Sequence, residues 1–492
     1  MAYADATPKE IDHALKEAQA AFSVFKNLPG KKKGTFLRAA AEGIDALGKT
    51  LIETAMRETN LPEARLVGER ARTTGHLKMF AQLVEEGAWC EARIDTAMPN
   101  RAPTPKPDIR KMLVPIGPVV VFGAANFPLA YSTAGGDTAS ALAAGCPVIV
   151  KAHPAHAATS QLVAEVLVAA AEKTGMPKGV FQHVFGSSFA VGQALVNHPL
   201  TRAVGFTGSL AGGKALFDLA NQRAEPIPVF AEMSSINPIV LLPESLRKDP
   251  EGTAVKVAAS ITLGVGQFCT NPGLLLAIEG EGLQKFVAAL AREIGKAAPG
   301  TMLHQGIAEN YATKKAQALA QLGVAVEAEG LAGTRQQGQA LVASAAADTF
   351  MENPTLAEEV FGPFSLIVRC KNKQELMQVA GKLHGQLTTT MIGEEAEVAH
   401  YQELLSLLAE KAGRLIMNGV PTGVEVCPSM QHGGPFPATT DSRFTSVGTD
   451  AIKRFVRPVA FQNFPDSLLP DELKESNPLK IWRLRNSEWT KN

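Results

Sequence analysis

The fold of this chain is constrained above all by an alternation of short, largely apolar segments with longer segments suited to helices. In the first half, the apolar runs have the length of strands and lie at 119–122, 147–150, 180–185 and 203–206. Segments compatible with helices separate or follow them, at 133–144, 159–173, 189–197 and 210–222. Fully apolar strands joined through helices predict a parallel sheet covered on both faces, and therefore an α/β fold.

The alternation begins again near residue 228, which predicts a second α/β unit. Its strands are expected at 229–231, 239–242, 274–278, 324–328, 366–369 and 415–418. Ahead of both units, residues 8–57 and 63–86 have the periodicity of helices, and the proline-containing residues 97–108 predict an irregular connector. The length of the chain agrees with two or three domains.

Composition excludes several classes of protein. The 492 residues include 48 basic and 48 acidic side chains, and a balanced charge argues against nucleic acid as a partner. Five cysteines at irregular spacings do not form a disulfide framework. No apolar run reaches the ~20 residues that cross a bilayer, and the N-terminus lacks the pattern of a signal peptide. We expect a cytoplasmic protein with no membrane partner.

Cys269 is the first candidate for chemistry, within Gly266-Gln267-Phe268-Cys269-Thr270. It follows a helix-like run and a glycine break and precedes a strand-like run, which places it in a turn. A thiol in such a turn reaches a cleft and ionises there, whereas a thiol inside a helix or strand usually packs. Isolated cysteines are commonly small buried apolar residues, so this motif alone is compatible with a nucleophile and with a packing residue.

Two features of the first unit suggest that it binds a nucleotide, although it has no G-x-G-x-x-G fingerprint. Residues 205–209 read Gly-Phe-Thr-Gly-Ser, and a Gly-Ser turn that opens a helix directs backbone N–H groups toward an anion. Lys151 ends the strand 148–150 at the carboxyl edge, where parallel sheets bind ligands. An ordinary strand-to-helix turn and a solvated lysine are the structural alternatives.

Glu232 and Asn126 are candidates for acid–base and oxyanion chemistry. Glu232 leaves an apolar strand, where partial desolvation raises the pKa of a carboxyl and suits it to act as a general base. Asn126 follows the strand 119–122, so its amide is placed to donate to a developing oxyanion. A surface glutamate and a turn asparagine are the alternatives. His153 and His156 have no Cys, Asp or Glu nearby to complete a ligand set, so we expect no metal site.

Taken in chain order, these segments resemble the aldehyde dehydrogenase superfamily. The segments that carry the resemblance are Asn126-Phe127-Pro128, Lys151, residues 206–209, Glu232, residues 266–269 and Glu359-Val360-Phe361-Gly362-Pro363. The match runs from about residue 113 to 440. Within the superfamily, residues 231–238, Lys151-Ala152-His153-Pro154 and Ile481-Trp482-Arg483 look like the bacterial α-ketoglutaric semialdehyde (2,5-dioxovalerate) dehydrogenases.

The resemblance implies a Rossmann-type cofactor domain, a second α/β catalytic domain and a small oligomerisation strand region. We expect N-terminal helices and the dinucleotide-binding domain in residues 1–230. We expect the catalytic domain in residues 231–430, and a segment returning to the cofactor domain and to an oligomer contact in residues 431–492. The oligomerisation strand is expected near 455–461, in a homodimer or homotetramer.

The resemblance also implies roles for individual residues. Cys269 is the expected nucleophile, Asn126 contributes to the oxyanion hole, and Glu232 activates the water that hydrolyses a thioester. The positions expected to bind the cofactor are Lys151, His153, Gly208, Ser209, Gly213, Glu359 and Phe361. Cys90, Cys146, Cys370 and Cys427 are interpreted as packing or incidental thiols.

Two departures from the commoner family pattern have consequences. Met233-Ser234-Ser235-Ile236 stands where many members have Leu-Gly-Gly-Lys, which alters the surroundings of the expected base. Pro154 stands where NAD-preferring members often have a glutamate that binds ribose hydroxyls. Loss of that carboxylate removes a charge that repels a 2′-phosphate, so NADP is the expected cofactor, with NAD as a possibility.

The expected substrate is α-ketoglutaric semialdehyde (2,5-dioxopentanoate), whose distal carboxylate calls for a cation. Arg72 and Arg70 lie on a helix that the family places near the substrate entrance, and arginine binds carboxylates in bidentate fashion. A broad or long-chain fatty aldehyde dehydrogenase is the alternative enzyme. A binding or structural protein that kept the fold without catalysis is the alternative of another class.

Overall fold

The computed structural model describes residues 3–492, and its elements are numbered here in chain order within that range. The helices are α1 Pro8–Phe25, α2 Gly30–Ala46, α3 Gly48–Thr59, α4 Glu63–Glu86, α5 Gly136–Ala144, α6 Ala157–Lys173, α7 Phe189–Asn197, α8 Leu210–Asn221, α9 Pro243–Lys248, α10 Pro250–Thr262, α11 Glu281–Gly295, α12 Gln305–Leu319, α13 Ala347–Glu352, α14 Lys373–Lys382, α15 Glu395–Val398 and α16 Gln402–Lys411.

The strands follow the same convention and form three large sheets and one two-stranded sheet. They are β1 Arg93–Asp95, β2 Ile109–Pro115, β3 Val119–Phe122, β4 Val148–Lys151, β5 Phe181–Val184, β6 Ala203–Thr207, β7 Val229–Glu232, β8 Ile239–Leu241, β9 Leu274–Ile278, β10 Gly300–Thr301, β11 Ala325–Glu329, β12 Gln337–Gly338, β13 Leu341–Ala346, β14 Phe364–Cys370, β15 Gln386–Ile392, β16 Ala412–Met417, β17 Val456–Gln462, β18 Arg483–Arg485 and β19 Glu488–Thr490.

The first α/β unit is a parallel five-stranded sheet in the order β5-β4-β3-β6-β7, which confirms the predicted fold class. Successive residues of β3 face opposite sides. Val119 and Val121 pack toward helices α2, α4, α5 and α6, whereas Val120 and Phe122 pack toward α1 and α7. This double covering is the reason that the strands are apolar along their whole length.

The register of this sheet brings candidate residues to one edge. Phe122, the last residue of β3, pairs with Lys151 of β4 and with Phe206 of β6. Thr207 pairs in turn with Glu232, the last residue of β7. Because all five strands are parallel, Lys151 and Glu232 lie at the same carboxyl edge, as ligand-binding residues of such sheets do.

The second α/β unit is a seven-stranded sheet in the order β11-β13-β14-β9-β8-β15-β16. Only β11 runs antiparallel to its neighbour, and the other adjacent pairs are parallel. Strand β7 was assigned to this unit on the sequence pattern, and that assignment is wrong because β7 pairs with β6 in the first sheet. The predicted division after residue 230 therefore cuts β7, and the change of sheet occurs between Glu232 and Ile239.

The third sheet joins distant parts of the chain in the order β17-β2-β1-β18-β19. Strand β17 pairs antiparallel with β2, and it matches the strand that was predicted near 455–461. Its role in an oligomer stays a prediction. Among the described residues, no helix combines the length and apolar character required to span a membrane.

Candidate active site

The turn that carries Cys269 is shaped by three consecutive residues in the left-handed region. Gly264, Val265 and Gly266 have φ values of 55°, 58° and 64°, between the end of α10 and the start of β9. A β-branched residue such as Val265 rarely adopts this conformation, so the surrounding packing must hold it. The turn leaves Cys269 only partly exposed, at the border of the two α/β units.

Gly266 is required by a close approach between two loops. A Cβ at Gly266 would lie 2.3 Å from the carbonyl carbon of Gly362, closer than any side chain tolerates. The amide of Asn271 reinforces the contact by donating to the carbonyl of Gly362 at 3.1 Å. The turn of Cys269 is thereby fixed against the loop that contains Glu359 and Phe361.

Three chemically different side chains meet beside this turn. Nε2 of His432 lies 3.6 Å from Sγ of Cys269 and 3.1 Å from Oε1 of Glu232. Ser446 donates its hydroxyl to the other carboxylate oxygen of Glu232 at 2.7 Å. Glu232 and His432 are both buried. The sequence analysis found Cys269 and Glu232 but missed His432 and Ser446, which lie in irregular chain after β16.

The electrostatics of this cluster differ from the sequence-based expectation for Glu232. Burial alone raises the pKa of its carboxyl, but the charge of His432 and hydrogen bonds from His432, Ser446 and Cys269 outweigh burial and leave that pKa below its ordinary value. The expectation of a raised pKa is therefore wrong, because strand-end burial was considered without its partners. Burial, followed by the charge of Glu232, raises the pKa of the Cys269 thiol well above its ordinary value, and Arg72 opposes the shift.

Asn126 lies next to the same turn. Its Nδ2 donates to the carbonyl of Gln267 at 3.1 Å, two residues before Cys269. The backbone carbonyl of Asn126 accepts from Nη2 of Arg65 at 2.7 Å, which fixes the backbone that carries this side chain. Since an amide nitrogen has two hydrogens, one N–H of Asn126 is available for a group bound beside Cys269.

The predicted nucleotide-binding positions line the carboxyl edge of the first sheet. Gly208 and Ser209 are exposed between β6 and α8, and the hydroxyl of Ser209 caps α8 by accepting from the N–H of Gly212 at 3.2 Å. Gly213 is buried, and a Cβ there would lie 2.6 Å from the side chain of Met233. The remaining N–H groups at the start of α8 suit an anion.

Lys151 and His153 lie at the neighbouring strand end. Burial lowers the pKa of the Lys151 ammonium, and burial followed by nearby positive groups lowers the pKa of His153 well below its ordinary value. Nδ1 of His153 accepts from the N–H of Ala155 at 3.2 Å, and its ring stacks on His156 with 5.3 Å between centroids. Pro154 is exposed beside them and contributes no carboxylate.

Glu359 extends into the cleft between the two units. Burial raises the pKa of its carboxyl to about 7, opposed by hydrogen bonds from the side chain of Ser234 and the backbone of Ser235. These two serines belong to the segment that departs from the commoner family pattern. Ser234 and Ser235 therefore donate hydrogen bonds to the Glu359 carboxylate, a group that can also bind hydroxyl groups. Phe361 follows on the same loop and is partly exposed.

The two arginines expected near the substrate point in different directions. Arg72 donates to the carbonyl of Val424 and, at 3.3 Å, to the hydroxyl of Tyr131, whose ring lies 6.3 Å from that of His432. Arg70 donates instead to the carbonyl of Gly48 at 3.1 Å. Arg72 therefore faces the cleft, whereas the guanidinium of Arg70 turns toward the α2–α3 junction, and contact of either arginine with substrate stays a prediction.

A second arginine faces the cleft from the opposite unit. Arg414, on β16, donates to the carbonyls of Pro421 and Gly423 at 2.9 and 3.1 Å, and burial lowers its pKa. The Nε atoms of Arg72 and Arg414 are both buried without a hydrogen-bond partner, and neither side chain forms a salt bridge within the described residues 3–492. Sequence reasoning missed Arg414 because one arginine in a strand has no distinguishing spacing.

The comparisons with known proteins agree with this geometry. The model of the Aldehyde dehydrogenase family matches residues 1–444. The chain is 51% identical to α-ketoglutaric semialdehyde dehydrogenase 2 of Azospirillum brasilense over 484 residues, covering 98% of this chain and 92% of that protein. It is 48% identical to α-ketoglutaric semialdehyde dehydrogenase of Acinetobacter baylyi, covering 100% and 93%.

Solved structures show the same fold at lower identity. Betaine aldehyde dehydrogenase from Staphylococcus aureus in complex with NAD+ superposes with a TM-score of 0.79 at 19% identity, covering 93% of this chain and 88% of that one. A 1-pyrroline-5-carboxylate dehydrogenase superposes with a TM-score of 0.77 at 21% identity, covering 94% and 86%. The chain belongs to the aldehyde dehydrogenase family, and it is an NAD(P)-dependent oxidoreductase that acts on aldehydes.

Proposed function

We propose that this enzyme oxidises α-ketoglutaric semialdehyde to α-ketoglutarate, with Cys269 as nucleophile and with Asn126, Glu232 and His432 assisting it. The observation that carries the chemical proposal is the cluster in which His432 Nε2 lies 3.6 Å from the thiol and 3.1 Å from the carboxylate. A nucleophile, a base within reach and a group that orients the base are the parts that covalent catalysis requires. The names of two relatives at 51% and 48% identity support the substrate.

The first step converts the thiol into a nucleophile. The thiol of Cys269 donates a hydrogen bond to Glu232, so its proton passes to that carboxylate and from there to solvent, while the positively charged His432, whose Nε2 lies 3.6 Å from the sulfur, stabilises the thiolate. The thiolate attacks the aldehyde carbon, which forms a C–S bond and moves the carbonyl electron pair to oxygen. The free N–H of Asn126 and the backbone N–H of Cys269 stabilise that oxyanion, because such donors act where the charge develops.

A nicotinamide dinucleotide, held by the residues at the carboxyl edge, would supply the acceptor for the hydride of the thiohemiacetal carbon. The oxyanion electrons re-form the carbonyl, which leaves a thioester on Cys269. Glu232 then takes a proton from water, and the resulting hydroxide attacks the thioester carbon. The C–S bond breaks, the acid departs, and the thiolate returns to Cys269. The lowered pKa of Glu232 keeps it ionised at neutral pH, so it is ready to accept the water proton.

The residues at the carboxyl edge suit a dinucleotide by their chemistry. The start of α8, with Gly208, Ser209 and Gly213, offers backbone N–H groups for the pyrophosphate. The cation of Lys151, with His153 beside it, suits the adenosine ribose and its phosphate. Glu359 suits the hydroxyls of the nicotinamide ribose, with Phe361 next to the ring. We infer that NADP is preferred, because the exposed position of Pro154 contributes no carboxylate to repel a 2′-phosphate.

Two arginines that form no salt bridge within residues 3–492 are available to bind the distal carboxylate of the proposed substrate. Arg72 and Arg414 approach the cleft from the two units, and each holds a buried Nε with no partner. Buried N–H groups without acceptors are costly, so an incoming carboxylate would satisfy both at once. Arg72 also lines a groove of about 670 Å³ between α4 and residues 424–428, which is roomy enough for entry of a small dicarboxylate.

We also infer that the chain works as a homodimer or homotetramer in the cytoplasm and that β17 carries a contact between subunits. Strand β17 is an edge strand, so one row of its backbone groups remains open to a partner strand. The functional division is a cofactor unit around the first sheet, a catalytic unit around the seven-stranded sheet, and a C-terminal segment in the third sheet.

A panel of aldehydes tests the substrate. Reduction of NADP is followed with α-ketoglutaric semialdehyde, succinic semialdehyde, hexanal and dodecanal, and kcat/KM is compared. We expect kcat/KM for α-ketoglutaric semialdehyde to exceed that for hexanal by at least tenfold, because its KM is lower. Higher kcat/KM for dodecanal would replace the proposal with the long-chain alternative, and no turnover with any aldehyde would refute the mechanism.

A further inference from the structure

We propose that Cys269, His432 and Glu232 form a Zn²⁺ site in the cofactor-free enzyme, and that zinc holds the enzyme in a reversible inactive form. Their ligand atoms Sγ, Nε2 and a carboxylate oxygen all lie within 4.8 Å of one another. Sulfur, imidazole nitrogen and carboxylate oxygen are the donors that zinc takes in proteins.

Two of the three separations between the ligand atoms match the edges of a tetrahedron. Zinc bonds of about 2.3 Å to sulfur and about 2.0 Å to nitrogen or oxygen give tetrahedral edges of about 3.5 Å for S···N and about 3.3 Å for N···O. The observed separations are 3.6 Å from Cys269 Sγ to His432 Nε2 and 3.1 Å from His432 Nε2 to Glu232 Oε1. The three groups can thus converge on one ion with small side-chain movements.

Access and charge also favour the ion. Cys269 is partly exposed, so an ion can enter from the cleft, while Glu232 and His432 form the buried wall. A thiolate and a carboxylate together neutralise a divalent cation. Three protein ligands leave the fourth position of the tetrahedron open to water or an anion, as in zinc sites that are not purely structural.

The affinity should be moderate. When Nε2 of His432 binds the ion, its ring proton must be on Nδ1, and Nδ1 is buried with no hydrogen-bond partner among residues 3–492. Zinc-bound histidines usually donate that proton to an acceptor, and loss of the acceptor weakens binding about 10- to 100-fold. This distinguishes the site from a permanent structural zinc and makes it reversible by chelators.

Binding exchanges two protons for the metal. The Cys269 thiol and Nε2 of His432 each release a proton to solvent, Zn–S and Zn–N bonds form, and no oxidant or reductant takes part. Zinc affinity should rise with pH as the protons become easier to remove. A metal on Cys269 blocks attack on the aldehyde, so inhibition should be competitive with aldehyde.

Calorimetric titration of the cofactor-free enzyme with ZnCl₂ tests the proposal without turnover. We expect one ion per chain, with affinity lowered about 100-fold or more in Cys269→Ser, and similarly in His432→Gln. The matched controls Cys427→Ser and His400→Gln change a thiol and an imidazole elsewhere and should leave the titration unchanged. Circular dichroism establishes that each variant is folded.

Cobalt gives a second readout that identifies the ligand. Co²⁺ at the site should produce a thiolate-to-cobalt charge-transfer band that is absent in Cys269→Ser and present in Cys427→Ser. Unchanged zinc affinity in Cys269→Ser and in His432→Gln would overturn the proposal, and so would no detectable binding by the unaltered enzyme. Because the titration contains no aldehyde, an error in the proposed substrate or reaction would leave these outcomes unaffected.

Discussion

His432 and Glu232 are 200 residues apart in the sequence and 3.1 Å apart in the structure, between Nε2 and Oε1. The contact joins the end of a strand in the first sheet to irregular chain that follows the last strand of the second. It gives the carboxylate of Glu232 a positive partner inside a buried site, which opposes the effect of desolvation on its pKa.

Replacement of His432 should slow the chemical step. His432→Gln keeps a hydrogen-bonding side chain of similar size but removes the positive charge beside the Cys269 sulfur and Glu232, so we expect kcat to fall about 100-fold or more with little change in the KM for NADP. Steady-state kinetics with saturating cofactor measure this. His400→Gln, at an exposed histidine, is the control; equal rates in the two variants would exclude His432 from the reaction.

Alkylation of Cys269 should depend steeply on pH. Its raised pKa means that the free enzyme holds mostly neutral thiol at pH 7, so the rate of reaction with iodoacetamide should increase about tenfold per unit between pH 7 and 9. Mass spectrometry of the cofactor-free Cys427→Ser enzyme follows this rate, because its other spare thiols are buried. A rate already at its maximum at pH 7 would contradict the raised pKa.

Arg414 should discriminate charged from neutral aldehydes. Arg414→Met keeps the aliphatic stem and removes the cation, so we expect the KM for α-ketoglutaric semialdehyde to rise about 10- to 100-fold while that for hexanal changes little. Arg72→Met should behave in the same way. Arg70→Met is the matched control, since Arg70 binds the carbonyl of Gly48 and should affect neither substrate. Parallel changes for both aldehydes would remove Arg414 from the substrate site.

Glu359 should impose a pH dependence on cofactor binding. Its pKa of about 7 means that the carboxylate, the form proposed to accept hydrogen bonds from ribose hydroxyls, is lost as the pH falls through that value. The KM for NADP should therefore be about tenfold higher at pH 6 than at pH 8. Glu359→Gln should raise the KM at pH 8 and flatten the profile; an identical profile in this variant would assign the effect to another group.

Cofactor choice should depend on position 154. Pro154→Glu introduces a carboxylate beside Lys151 that repels a 2′-phosphate and binds ribose hydroxyls. We expect the ratio of kcat/KM for NADP to that for NAD to fall about tenfold or more. Pro154→Gln controls for the loss of proline. If the unaltered enzyme already prefers NAD by a large factor, the inference from Pro154 fails.

The sequence predicted the first sheet well because its strands are apolar on both faces and separated by helices. The sequence did not predict β13 and β15, because these strands are not continuously apolar. β13 ends in Ala-Ser-Ala-Ala and β15 contains three consecutive threonines, so neither forms an apolar run, although both are buried within the seven-stranded sheet. These two strands are buried because other strands flank them in the sheet, and their own sequences give no sign of that position.

The candidate site was predictable where a residue belongs to a local motif. Cys269 and Asn126 each sit in a turn after an element, and Glu232 ends an apolar strand. His432 has no such pattern; its one local signal is the Gly433-Gly434 pair that follows. A Cβ at Gly434 would lie 2.0 Å from the carbonyl oxygen of Gln386, so this glycine lets the chain pass β15 and return to Glu232. Only the tertiary fold reveals that return.

Because Gly266 packs against Gly362, the backbone of the Cys269 turn and the backbone of the Glu359 loop hold each other in place. Any redesign of the Glu359 loop to admit a different dinucleotide would displace the backbone that also sets the attack angle of the sulfur. Cofactor engineering in this enzyme should therefore lower the rate of acylation even where the cofactor still binds, and compensating changes belong at residues 264–266 rather than in the cofactor pocket.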